Sequence, residues 1–248
     1  MTPTDRTTPP DRAPSSPLRR TALTAGALYV LTFVSIPTLT LYGPVHDADY
    51  LTSTGSDRPV VLGGVLEMIV ALACIGTAVV LYPVVRRQGE SRALGFVASR
   101  VLEAAGILVG VASLLTLVTL RRSAVGAEGT DIGRALVGFY DSVFLLSQSL
   151  LPAVNALLLG SLLYQSRLVP RFLPVLGLIG APLLVVSVAG IAFGLWDRLS
   201  PVAALAAVPI AGWELSLGLY LIVKGFRPSP ITADLVHAGA GDPRTAAV

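Results

Sequence analysis

The chain has 248 residues, of which 53% are hydrophobic and only 13% charged. A soluble domain of this length carries about a quarter charged residues, so composition excludes an ordinary water-soluble fold and selects an integral membrane protein with several spans. The net charge of +3 is spread along hydrophobic sequence. That excludes a nucleic-acid partner and reads as topology signal and contact to the lipid bilayer and its anionic headgroups.

Residues 1–20 are rich in Pro, Thr, Ser, Asp and Arg. They hold too little apolar surface to offset their ordering entropy, which predicts a disordered cytoplasmic tail. The stretch PLRRTALTAG at its end resembles a twin-arginine export signal. No small-residue cleavage site follows it and further apolar runs come after, so the arginines read as anchors of a first helix.

Six apolar runs follow, at 21–42, 60–85, 94–120, 135–164, 171–196 and 201–224. Each is longer than the roughly 20 residues that cross a hydrocarbon core of about 30 Å. The expected fold is all-α: one polytopic six-helix transmembrane domain over residues 21–225, with a second flexible cytoplasmic tail at 226–248. Pro152 is expected to kink the long fourth run. Pro37, Pro174, Pro182 and Pro209 also lie inside spans, where neighbouring helices re-satisfy freed carbonyls.

With the N-terminus inside, the inner segments hold Arg6, Arg12, Arg19, Arg20, Arg86, Arg87, Arg92, Arg167, Arg171, Lys224, Arg227 and Arg244. The outer ones hold Arg58, Arg121, Arg122, Arg134 and Arg198. This asymmetry predicts cytoplasmic termini, with the loop at 121–134 dissenting. Tyr29, Tyr42, Tyr82, Tyr164 and Trp196 are expected near membrane interfaces. Arg86, Arg87, Arg92, Arg167 and Arg171 are candidate contacts to anionic lipid headgroups. Lys224 is the sole lysine among 18 cationic residues, a usage associated with bacterial genomes rich in G and C and hence with a bacterial cytoplasmic membrane.

The third run carries two charges, Arg100 and Glu103. At about 100° per residue, Glu103, Gly106, Gly110 and Ser113 fall within about 80° of one another, with Arg100 beside them. Gly106 and Gly110 form a GxxxG step that admits a close neighbour. Glu67 shares a stripe with Gly63, Gly64, Ala71, Cys74 and Ala78, and Glu214 with Ala207, Ala211 and Gly218. Asp141, Gln148 and Asn155 recur every seven residues along the fourth run. Charge on a lipid face is costly, so these side chains are expected to turn inward. Glu67, Arg100, Glu103, Asp141, Gln148, Asn155 and Glu214 are therefore the candidate members of one buried polar seam. Either they fasten helices together, or they bind a solute, a proton or a headgroup.

Catalytic and metal chemistry find little support. PVHDADY gathers His46, Asp47 and Asp49 in the first outer loop with Asp57 near, but it reads as a solvated acidic loop rather than a cation site. His237 falls in the tail, and neither histidine lies in a span. Cys74 stands alone, so no disulfide or thiolate metal site is available. The sequence contains no G-x-S-x-G, H-E-x-x-H or Walker lysine. No catalytic residue, cofactor or metal is predicted, and nothing selects a protein partner or an oligomeric state.

GTAVVLYPVVRRQ, ALGFVASRVLEA, NALLLGSLLYQSRLVPRFLPVLGLIGAPLL and WELSLGLYLIVKGFR resemble the bacterial multi-pass membrane family catalogued as domain of unknown function 4386. The resemblance covers roughly residues 19–227 and is most specific from Ser166 to Leu184. It implies a helical bundle in the bacterial cytoplasmic membrane and no activity. Its matching charged positions are Arg100, Glu103, Arg167, Arg171, Glu214 and Lys224. The family pattern has a Gly-Pro-Gly-like stretch early in the fourth span, where this chain has LLSQSLLPAVN, so Gln148 departs from it. The leading expectation is a non-enzymatic membrane protein that uses the seam for transport, sensing or partner binding. A membrane enzyme acting on a lipid or quinone, or a purely structural subunit, is the alternative.

Overall fold

The computed structural model describes residues 17–47, 49–123 and 127–233. His237, Arg6, Arg12, Arg244 and most of both expected tails lie outside the described residues. Six helices long and apolar enough to cross a membrane fill the rest: Pro17–Leu41, Arg58–Val85, Glu90–Arg122, Gly129–Ser166, Phe172–Ala192 and Pro201–Val223. The chain is a polytopic transmembrane helix bundle, with no strand among the described residues. Exposed leucines and valines such as Leu72, Val79, Leu102, Val186 and Leu205 coat its outside.

The first span is broken. Helix α1 (Pro17–Leu31) gives way to a 3-10 turn at Thr32–Ser35 and then to the short α2 (Thr38–Leu41). Pro37 is responsible, because it has no N–H to continue the ladder and its ring crowds the preceding turn. Hydroxyls recover the freed carbonyls: Thr32 Oγ1 donates to Tyr29 O at 2.7 Å and Thr38 Oγ1 to Ser35 O at 2.7 Å. The two halves then differ in one neighbour. The α1 half packs on α8 (Pro201–Val223), where a Cβ added at Gly26 would meet Gly218 O at 2.6 Å. The broken half leans on α3 (Arg58–Val85), which α1 also contacts.

Helix α4 (Glu90–Arg122) packs against α3 and against the fourth span. That span consists of α5 (Ala127–Phe144), a π turn at Leu145–Leu150 and α6 (Leu151–Ser166). The expected irregularity at Pro152 is present but begins one turn earlier. The proline offers no hydrogen to the carbonyl a turn before it, and the wider π turn absorbs the mismatch. Gly106 receives the Ser147 side chain and Gly110 the Tyr140 ring, so the GxxxG face meets the fourth span at the π turn.

Helix α7 (Phe172–Ala192) stops four residues short of the expected end at 196. Gly194, with φ +69, caps it in the left-handed region and turns the chain back, laying the Trp196 ring on Gly190. Ser200 caps α8 through Ala203 N at 3.2 Å, with Pro201 in the first helical position. Helix α1 begins at Pro17, inside the stretch expected to be a tail. Residues 226–233 are docked as well: Arg227 N donates to Leu168 O at 2.8 Å, Ser229 Oγ to Ser166 O at 2.7 Å, and Thr232 is buried.

Candidate functional site

Arg100 is the hub of the interior. Its side chain is 1% exposed, and Nη1 donates to Glu103 Oε2 at 2.9 Å one turn along the same helix. Nη2 reaches Glu214 Oε1 on α8 at 3.1 Å, and Nη1 also approaches Cys74 Sγ at 3.5 Å. The guanidinium lies 5.1 Å from the centre of the Tyr29 ring and 5.9 Å from that of Phe96. Aromatic faces favour a cation drawn out of water. Glu103 Oε2 accepts a second bond, from Asn155 Nδ2 at 2.7 Å. Side chains from five of the six spans thus meet around one ion cluster. Two buried polar atoms in it have no partner among the described residues, Arg100 Nε and Asn155 Oδ1.

A second cluster surrounds Glu67, which is fully buried. Tyr140 and Gln148 donate to its Oε1 at 3.0 and 3.2 Å, and Tyr42 donates to Oε2 at 3.3 Å. Tyr42 arrives from the end of the broken first span and packs edge-on to Tyr140, with ring centres 5.4 Å apart. Gly63 makes room for the Tyr42 ring.

The expected single stripe of Asp141, Gln148 and Asn155 does not survive. The π turn between them changes the helical phase, so the three side chains find different partners. Asn155 meets Glu103 and Gln148 meets Glu67, as above. Asp141 sits at the rim, 36% exposed, between His46 Nε2 at 3.2 Å and Arg198 Nη2 at 2.9 Å. It is not part of the buried seam.

The stripe of small residues beside Glu214 also does something other than expected. Ala211 is exposed and Ala207 half-buried, because no helix closes over them. They line a cavity of about 540 Å³ between the broken half of the first span, α7 and α8. Its polar floor is Arg100, Glu103, Glu214 and Gln148, and its walls include Phe33, Ile36, Leu39, Leu184 and Val188. The break at Pro37 creates this space by steering residues 32–41 toward α3 and away from α8. Arg198, stacked 4.5 Å over Phe144, stands at the end nearest Asp141.

Several residues of this arrangement escaped the sequence reading. Tyr29 and Tyr42 were expected at interfaces and are instead buried against Arg100 and Glu67. The ring face of Tyr29 and the hydroxyl of Tyr42 give them this role, and nothing in the periodicity distinguishes it. The loop after the first span is also more than a solvated acidic stretch. Asp57 accepts from Arg121 Nη1 at 2.8 Å and Arg122 Nε at 3.0 Å, while Arg121 Nη2 donates to Ser53 O and Gly55 O. The Arg121 guanidinium lies 4.6 Å above the Tyr50 ring. Burial by itself would raise the Asp57 carboxyl, but bonds from Arg122 and Arg121 outweigh it and hold it below the ordinary value. Among the described residues, no group of three or more His, Cys, Asp or Glu side chains gathers to hold a metal.

Of the candidate headgroup contacts, Arg86, Arg87, Arg167 and Arg171 are exposed at one end of the bundle. Arg86 and Arg171 lie over Tyr82 and Tyr164 at 5.7 and 4.9 Å. Arg92 is turned inward, donating to Ser161 Oγ at 3.1 Å and Gln165 Oε1 at 2.8 Å.

Residues 24–225 match the family described as Domain of unknown function (DUF4386). No curated protein and no solved structure matches the chain.

Proposed function

The chain belongs to the DUF4386 family, and we propose that it acts without catalysis, binding a small amphipathic molecule that enters the cavity sideways from the bilayer, in transport or sensing. One observation carries this: the floor of charged and amide groups opens into an apolar-walled space of about 540 Å³ rather than being sealed between helices. Polar groups that only fasten spans together need no such space. Ligand sites in helical bundles combine apolar walls with a few convergent polar groups in this way.

The alternative, an enzyme acting on a lipid or quinone, finds less support. Ser35, Ser149 and Ser187 line the cavity, but none donates to a carboxylate or histidine. Ser35 bonds Thr32 O instead. His46 is engaged at the rim by Tyr42 O and Asp141.

The proposed setting is a bacterial cytoplasmic membrane with both ends of the chain inside. At the end bearing Arg86, Arg92 and Arg167, Glu90 is the one acid among the described residues. At the opposite end Arg121, Arg122, Arg134 and Arg198 are each paired with an aspartate. These pairs neutralise much of the dissenting loop, but the positive-inside bias follows Lys and Arg rather than net charge, so it is the excess of inner over outer cations that supports this orientation. The exposed arginines at the inner end suit anionic lipid headgroups.

Filling the cavity tests the proposal. Wild type and Ala211→Phe are purified alike, and the organic compounds extracted from each are compared by mass spectrometry. The expected result is an amphipathic compound carried by wild type and depleted in a variant of equal thermal stability. Identical extracts from the two proteins would favour a purely structural role.

A further inference from the structure

We infer that the molecule this cavity takes has a positively charged, hydrogen-bond-donating head on an apolar body, an alkylammonium or amino alcohol, and that Glu214 receives it. The inference rests on the lateral binding proposed above and gives that binding its ligand class.

The charges around the cavity do not cancel. Its charged lining residues are Arg100, Arg198, Glu103 and Glu214. Arg198 is engaged by Asp141 at 2.9 Å, a carboxylate it shares with His46. What remains on the floor is one guanidinium between two carboxylates, at 2.9 and 3.1 Å. Such a trio is one positive charge short, in a medium that penalises unbalanced charge heavily.

The two carboxylates are not equivalent. Glu103 is 6% exposed and already accepts from both Arg100 and Asn155. Glu214 is 16% exposed, and its Oε1 accepts from Arg100 while no other described side chain donates to it. Ala207 and Ala211, about two turns and one turn before it on the same helix, leave room beside it. Phe33 adds an aromatic ring to the same lining. A carboxylate with a free oxygen, clear space and a π face together suit an ammonium group. Arg100 Nε, buried and without a partner among the described residues, suits an oxygen adjoining that ammonium.

The competing source of the balancing charge is a proton on Glu214, in which case a neutral head binds as well as a cationic one. The test uses the full chain in phosphatidylcholine nanodiscs, with dodecylamine, dodecanol and dodecanoate as probes and Tm as the readout. Ala211→Phe controls for effects of the probes on the bilayer. Dodecylamine is expected to raise the Tm of wild type with an apparent affinity about tenfold or more tighter than dodecanol. Dodecanoate is expected to have no effect, and the shift should vanish in Ala211→Phe. Glu214→Gln should bring dodecylamine down to the level of dodecanol, and if that variant fails to fold, the probe series on wild type decides. If dodecanol or dodecanoate matches dodecylamine in wild type and loses its effect in Ala211→Phe, the cationic head is overturned and lateral binding stands. Shifts equal in both proteins, or absent from both, overturn lateral binding as well.

Discussion

Arg100 and Glu214 stand 114 positions apart in the chain and 3.1 Å apart in the bundle, joining α4 to α8 across the membrane interior. The same guanidinium holds Glu103, so a single cation serves two buried carboxylates. Its neighbours on the ring side are aromatic, and its polar neighbours are acids or a thiol.

Removing that cation is expected to be the most damaging single change. Arg100→Met leaves both carboxylates buried without compensation, at a cost of about 3–5 kcal/mol. Glu103→Gln should cost more than Glu214→Gln, because Glu103 is the less exposed and also accepts Asn155. Thermal melts in detergent of the three single variants and of Arg100→Met/Glu103→Gln measure this. A double variant no worse than Arg100→Met alone is the expected non-additivity.

Glycine substitutions should separate contact from propensity. A Cβ at Gly106 runs into the Ser147 side chain at the π turn, so Gly106→Ala is expected to lose about 1–3 kcal/mol. Gly138, on α5, has nothing within 4 Å of an added Cβ. Gly138→Ala should be neutral or stabilising by up to about 1 kcal/mol, since alanine favours the helix. Unfolding of both variants in the same detergent gives the two signs directly.

The loop clamp has a defined pH response. Asp57 has a carboxyl held below its ordinary value of 3.8, so its contribution is complete above that pH. The contribution falls away only as pH drops through the depressed folded value. Hydrogen exchange across residues 49–57, corrected for intrinsic rates, should be unchanged between pH 7 and 5 and rise only in stronger acid. Asp57→Asn should raise it at pH 7 and 5, by the equivalent of about 1 kcal/mol, and the difference from wild type should shrink in stronger acid.

The proposed orientation is open to labelling. In a Cys74→Ser background, Thr54→Cys should react with a membrane-impermeant maleimide on intact bacterial cells. Gln88→Cys, at the arginine-rich end, should react only after permeabilisation. The reverse pattern would invert the assigned sides.

Much of the fold was legible because hydrocarbon imposes simple rules on sequence. A span must be long, apolar and hydrogen-bonded within itself, so six runs could be read within a few residues of the observed helices. Two exceptions have local causes, Gly194 in the left-handed region ending α7 early and Pro17 starting α1 early, while the fourth span begins at Gly129, six residues before the expected 135. The burial of Glu67, Arg100 and Glu103 was legible in part, because each lies on a stripe of small residues, whereas Glu214 is only half-buried and its stripe stays open.

The partners of those charges were decided by tertiary structure. One residue of phase at the π turn sends Asp141 to the rim while Gln148 and Asn155 stay inside, and a count of sevens assumes that phase is constant. The break at Pro37 parts the two halves of the first span and turns the stripe beside Glu214 from a packing face into the wall of a cavity. Helical periodicity tells which side of one rod a residue occupies. Which rod lies opposite, or whether a gap lies there, depends on how all six are arranged, and that is set by contacts between segments far apart in the chain.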